Sequence, residues 1–296
     1  MRYGKLERGR YASAMAVVSS GKATRFAVVL ALVLLTAAAV VVVRWPWTAG
    51  PTWTPSEPEV EQAHRRTPDH LRVLFVGNSF TFFNGGQAKL LRDLAAADKS
   101  ARPVWSGMVA LAGHSLEDHW RNGRALRAIR SGNWDYVVLQ ERSDGAIEDP
   151  ESFMAHAHLF DGEIRAIGAR TVIFGTWAVR DDQTWQALID ARYRQAAGEM
   201  GAILAPVADA WRLARQRRPE LSLYLADGRH PSAAGSYLAA CVFYAMLSER
   251  SPVGLGYRGE ADEESRAVLS AEDAAFLQHV AQETVEAMRL QRGGRP

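Results

Sequence analysis

Residues 71–250 predict an α/β domain whose parallel sheet is covered by helices on both faces. Two observations carry this. Five short runs rich in Val, Ile and Phe recur, at 72–76, 104–110, 136–140, 171–174 and 202–207. They are apolar throughout, as strands buried on both sides must be. Longer stretches with helical spacing lie between them, and strand alternating with helix is the pattern of a parallel sheet.

The segments before this domain divide by composition. Residues 1–25 hold six Lys/Arg and one Glu, a local +5, so the other 271 residues of this +2 chain sum to −3. A basic head on a mildly acidic body argues against a nucleic-acid partner. Residues 26–43 follow, eighteen residues without a charge and with Thr36 as their one polar member. As a helix they span roughly 27 Å. Trp45 and Trp47 suit the membrane interface, and Arg44 can snorkel. The positive-inside tendency keeps 1–25 in the cytoplasm and sends the body across the membrane. The sequence predicts a single-pass signal anchor over 26–43. The competing reading is a cleaved signal peptide, disfavoured by the length of the run and by Trp47 before the small residues. Residues 44–70 hold Pro46, Pro51, Pro55, Pro58 and Pro68, which predicts an extended linker.

Within the domain, 86–98 is predicted helical, with Leu90, Leu91 and Leu94 on one face. Residues 116–129 place Trp120, Leu126 and Ile129 at mixed helical spacings, and 185–200 and 232–247 are the clearest helices. Residues 251–296 are read as a tail with a last helix over 271–291, its stripe formed by Phe276, Val280 and Val285. The single cysteine, Cys241, excludes a disulfide framework and a multi-cysteine zinc site, and its apolar neighbours predict a buried thiol.

Sites in such sheets form at the carboxyl ends of the strands. The first predicted strand runs into Gly77-Asn78-Ser79-Phe80-Thr81, which places Ser79 at that edge. Alone, this serine reads as a turn residue. The sequence lacks the nucleophile-elbow pattern, because Thr81 stands where that pattern has glycine, and it lacks a phosphate-binding loop. Asp227-Gly228-Arg229-His230-Pro231-Ser232 precedes the last helix of the domain. An Asp three residues before a His can orient the imidazole, leaving its other nitrogen to take a serine proton.

In this order the motifs resemble those of the SGNH hydrolases, the GDSL esterase/lipase superfamily, over residues 71–250. Gly77-Asn78-Ser79-Phe80 is similar to the first block and Asp227-x-x-His230 to the last. Ala112-Gly113-His114-Ser115 is similar to the block whose glycine supplies an oxyanion-hole N–H. The resemblance implies a flavodoxin-like three-layer sandwich with a five-stranded parallel sheet, Ser79 as nucleophile, His230 as base and Asp227 as its orienter. The third block departs from the family: Leu139-Gln140-Glu141-Arg142-Ser143-Asp144 contains no asparagine. Gln140 is the expected replacement, because its amide can donate to an oxyanion while the carboxylate of Asp144 only accepts. This Gln-type third block resembles an acetylesterase-like branch.

The expected oxyanion hole is therefore Ser79, Gly113 and Gln140. Asn78, His114 and Trp177 are expected to contact substrate, Trp177 by stacking on a sugar or else as a core or rim residue. His119 is a further candidate to line the pocket. Glu141, Arg142 and Asp144 contact substrate or pair with one another. His156 and His158 are two apart and diverge on a helix, so no metal is expected, and the mechanism needs no cofactor. The predicted activity is that of an exported serine esterase acting on an O-acylated small molecule or glycan. The alternatives are an O-acyltransferase acting on a glycan and a non-catalytic glycan-binding domain. Acyl-chain length and oligomeric state are open.

Overall fold

The computed structural model describes residues 70–261 and 268–293. The basic segment 1–25, the predicted anchor 26–43 and all but the last residue of the linker 44–70 lie outside the described residues. Among those described, no helix is long and apolar enough to cross a membrane.

The five strands are β1 (Leu71–Gly77), β2 (Val104–Ala110), β3 (Tyr136–Leu139), β4 (Arg170–Phe174) and β5 (Ile203–Ala205). All pair in parallel, in the order β2-β1-β3-β4-β5. This is the flavodoxin-like order, in which the connection reverses direction at the β1/β3 boundary. Strand side chains alternate between two cores, the sign of a sheet sandwiched between helix layers. Leu71, Val73 and Phe75 face one core with Val138, Val172 and Phe174. Leu74 and Val76 face the other with Val137, Leu139 and Ile173.

The first core is closed by α2 (Gln87–Ala97), α8 (Val207–Arg217), α9 (Ala233–Leu247) and α10 (Ala271–Gly293). Every residue of α9 is buried, including the Cys241 thiol, whose pKa burial pushes up. The last helix is part of this core, with Leu277, Val280, Ala281 and Val285 at most 1% exposed. Phe276 packs at its margin. The second core is closed by α3 (Leu116–Asn122), α4 (Arg124–Ser131), α6 (Pro150–Ala166) and α7 (Gln186–Met200). The predicted helix 116–129 is two helices, because Gly123 takes φ +70 and ends α3 before α4 begins. Two short helices, α1 (Ser79–Phe82) and α5 (Gly145–Glu148), are the next elements after β1 and β3.

The 202–207 run is a strand over three residues only. Pro206 caps the start of α8, whose Val207, Ala210, Trp211 and Ala214 turn inward at helical spacing.

Candidate active site

The carboxyl ends of β1, β2 and β3 deliver three loops to one edge of the sheet, and the 224–231 turn closes over them. Gly77, the last residue of β1, has no room for a side chain. A Cβ would overlap the Thr81 hydroxyl and come within 2.6 Å of Gln140 Oε1. Asn78 caps α1, its Oδ1 accepting from Phe80 N–H (3.2 Å), while its Nδ2 donates to His114 O (3.0 Å). Ser79 is thereby the first helical residue, whose N–H has no carbonyl one turn back within the helix.

The Ser79 hydroxyl lies 3.0 Å from His230 Nε2. His230 Nδ1 lies 2.5 Å from Asp227 Oδ2. Asp227 Oδ1 accepts from the N–H groups of Arg229 and His230, at 2.9 and 3.0 Å. Burial raises the Asp227 pKa, but the bonds from His230 and Arg229 outweigh it, so the carboxyl lies below its usual value and stays ionised. Ser79 and His230 are 5% and 8% exposed. The His230 ring stacks on Phe83 (4.6 Å between centroids) and meets the edge of Phe80. Its backbone is held as well: His230 O accepts from Leu225 N–H, and Tyr224 bridges Pro231. Asn84 donates to Pro231 O (2.9 Å) and to the Ser236 hydroxyl (2.8 Å), tying the histidine turn to the segment after α1. Sequence reasoning left Phe83 and Asn84 aside; Asn84, at φ +52, stands in the Asn-Gly-Gly turn signal that could have drawn notice.

Gly113 lies in the turn Leu111–His114, closed by His114 N–H to Leu111 O (3.1 Å). Its φ of +69 and the empty space around a notional Cβ show that backbone conformation, not crowding, requires glycine. Behind this turn, Leu116 N–H donates to Glu141 Oε2 (3.1 Å) and His119 Nε2 lies 2.7 Å from Gly77 O. Burial holds the His119 pKa down to about 4, so the ring is neutral, and the carbonyl opposite makes Nε2 the protonated nitrogen. Burial pushes the Glu141 pKa up to about 7, against the N–H groups of Leu116 and Arg142 that favour its ionised form.

Three expected roles are corrected. Gln140 is not aimed at an oxyanion: it is fully buried, and its Oε1 accepts from Asn78 N–H and the Thr81 hydroxyl, both at 2.9 Å. Its Nε2 donates to Glu141 O. Trp177 is 2% exposed, stacked between Phe80 (4.6 Å) and Trp211 (3.6 Å), with Nε1 donating to Arg229 O, so no sugar reaches it. Asn78 is likewise 2% exposed, its side chain committed to the cap and to His114 O. His114, half-buried beside Gly113, remains at the site. His119 lies wholly beneath it.

Among the remaining candidates, Arg142 pairs with Asp144 (3.1 Å) and Glu148 (2.8 Å). Asp144 also faces Arg229 (3.5 Å), so the β3 loop and the histidine turn meet at the rim. His156 and His158 bond separately, to Ser152 and Glu199. Among the described residues no cluster of metal-ligating side chains is present.

No family model and no curated protein matches the chain. Solved structures do. A DUF4886 family protein from Bacteroides uniformis is similar over 74% of this chain and 95% of its own, at 19% identity and a TM-score of 0.58, a likeness of fold. A protein from Slackia heliotrinireducens assigned as an SGNH hydrolase is 32% identical, over 59% of this chain and 97% of its own, with a TM-score of 0.51. Identity at that level across nearly the whole of a relative shows the family: the chain belongs to the SGNH hydrolases and is a serine hydrolase.

Proposed function

We propose that the protein is a membrane-anchored, exported esterase that hydrolyses O-acyl esters of small molecules or glycans through an acyl-serine. The observation that carries the reading is the relay Ser79 Oγ to His230 Nε2 (3.0 Å) to Asp227 (2.5 Å) at the carboxyl edge of β1. Ser79 Oγ bonds to the ester carbonyl carbon while His230 Nε2 takes the hydroxyl proton. Asp227 fixes the tautomer and stabilises the imidazolium. The carbonyl oxygen becomes an oxyanion, held by the N–H groups of Ser79 and Gly113. On collapse the C–O bond to the alcohol breaks and His230 returns its proton to the leaving oxygen. Water then attacks the acyl-serine by the same route, releasing the acid and restoring the hydroxyl. An acetylated glycan is the favoured substrate, supported by the polar rim of His114, Ser143, Asp144 and Arg229.

Ser79→Ala should lower turnover of p-nitrophenyl acetate at least 10³-fold and abolish labelling by a fluorophosphonate. A folded wild-type protein that never labels, with turnover unchanged by Ser79→Ala, refutes the reading. Anchoring rests on the apolar run 26–43 and the +5 segment before it. Membrane-extracted protein should show the intact mass of the full chain, and a mature start near residue 50 excludes the anchor.

A further inference from the structure

Behind the histidine turn, a cavity of about 350 Å³ is lined by Arg180, Arg212, Arg215, Gln183, Gln216 and Ser222, with Pro219, Leu221, Leu223 and Tyr224 completing its wall. No Asp or Glu is among its lining residues. We propose that this cavity binds an anionic saccharide through its carboxylate or phosphate group, at a site separate from Ser79.

Three guanidinium groups brought to one cavity concentrate N–H donors of the kind that bind anions. Arg215 has no carboxylate partner among the described residues. Its guanidinium rests over the Tyr224 ring (5.3 Å), which holds the charge in place without neutralising it. Arg180 and Arg212 make ion pairs with Asp181, Asp190 and Asp209, but Arg180 and Arg212 keep 40% and 46% of their side-chain surface exposed. Such pairs contribute little, and each guanidinium carries five donors, so N–H groups remain for a ligand. Planar forks of this kind match carboxylate and phosphate oxygens. The Gln183 and Gln216 amides and the Ser222 hydroxyl add the uncharged partners that sugar hydroxyls need. The volume lies within the range of small-molecule sites.

The wall of the cavity is also the support of the active site. Arg180 N–H donates to Gly228 O (2.7 Å), between Asp227 and His230. Leu223 O accepts from Ser232 N–H, and Leu225 N–H donates to His230 O, both at 2.9 Å. A charged saccharide bound here rests against the turn that holds the catalytic histidine. This would let one acidic polymer be gripped at a distance from the ester that is cleaved.

The test is calorimetric titration of the full chain with inorganic phosphate, with glucuronate and with neutral glucose, at constant ionic strength set by NaCl. The expected result is saturable binding of phosphate or glucuronate and none of glucose. Arg215→Gln and, separately, Arg212→Gln should weaken it at least tenfold, with the circular dichroism of each variant unchanged. Preference between the two anions tells a phosphorylated from a uronate-bearing saccharide. Ser79→Ala should bind as wild type does, which separates this site from the esterase reading. Absence of saturable binding by either anion, or affinities unchanged in both folded arginine variants, overturns the proposal.

Discussion

Glu141 stands between the chemistry and the scaffold. It is 2% exposed and receives the N–H groups of Leu116 and Arg142, so it joins the loop after β3 to the helix after Gly113. Its pKa of about 7, raised from 4.5 by burial, has a definite consequence. Between those values the folded state holds a proton that the unfolded state has lost. The contribution of Glu141 to stability is therefore full below pH 4.5 and is lost as pH rises through 7, by up to ~3 kcal/mol for a shift of this size. Glu141→Gln should flatten this dependence. Urea unfolding at pH 5 and pH 8 measures it, and equal slopes in both proteins contradict the assignment. At this scale the sequence singled out three residues that the structure brings together, Ser79, His230 and Asp227, but not all their neighbours. Ser79, Asp227 and His230 were legible because the nucleophile follows a strand and the Asp–His pair lies within one turn. Gln140 was misassigned because its residue type fits an oxyanion donor. Only the fold reveals that its amide nitrogen already donates to Glu141 O while Asn78 N–H and the Thr81 hydroxyl fix its oxygen. Trp177 was likewise open between core and cleft until Trp211, distant in sequence, stacked upon it.

Elements position these residues through short turns, and in the turn Leu111–His114 it is Gly113 that is exposed. An alanine there meets no steric neighbour, so its cost is that of the left-handed backbone, roughly 1–2 kcal/mol. The turn can relieve that strain by rotating the 113 N–H away from where an oxyanion forms. Gly113→Ala should therefore leave the thermal midpoint within a few degrees of wild type while kcat falls roughly 10²-fold, the effect of losing one oxyanion donor. Parallel loss of stability and activity would assign Gly113 to folding alone. Elements were legible where period and punctuation agreed: β2 spans 104–110 as read, and α9 starts after its Ser232 cap. They were less legible where chemistry-bearing side chains interrupt the apolar period. α6 carries Asp149 as cap, Pro150 at its start and Phe153, Ala157, Phe160 and Ile164 inward, yet the His156–His158 spacing drew the reading instead. Gly123 was the stop signal inside the predicted 116–129 helix, and its left-handed φ became decisive only once the chain turned there.

At the scale of the molecule, the strand order brings β1 between β2 and β3, so the serine, the Gly113 turn and the Gln140–Glu141 pair share one edge. The last helix, α10, carries none of them and bears on stability. Leu277, Val280, Ala281 and Val285 are buried against the core that contains α9, and α9 begins two residues after Pro231. Burying each larger aliphatic side chain contributes ~1.5–3 kcal/mol, so Leu277, Val280 and Val285 together supply a total on the order of the whole stability of a domain. Gln278 adds polar contacts, donating to the Tyr237 hydroxyl (2.8 Å) and accepting from Gly254 N–H (2.9 Å). A chain ending at residue 261 exposes one face of α9 to water and removes the Gln278 contacts of Tyr237 and Gly254. It should lose its cooperative thermal transition and its activity together, although Ser79, Asp227 and His230 are retained. Leu277→Ala offers the graded version, lowering stability by ~2–5 kcal/mol with kcat unchanged below its midpoint. A truncated protein that melts cooperatively at the wild-type temperature would show that the domain ends before α10.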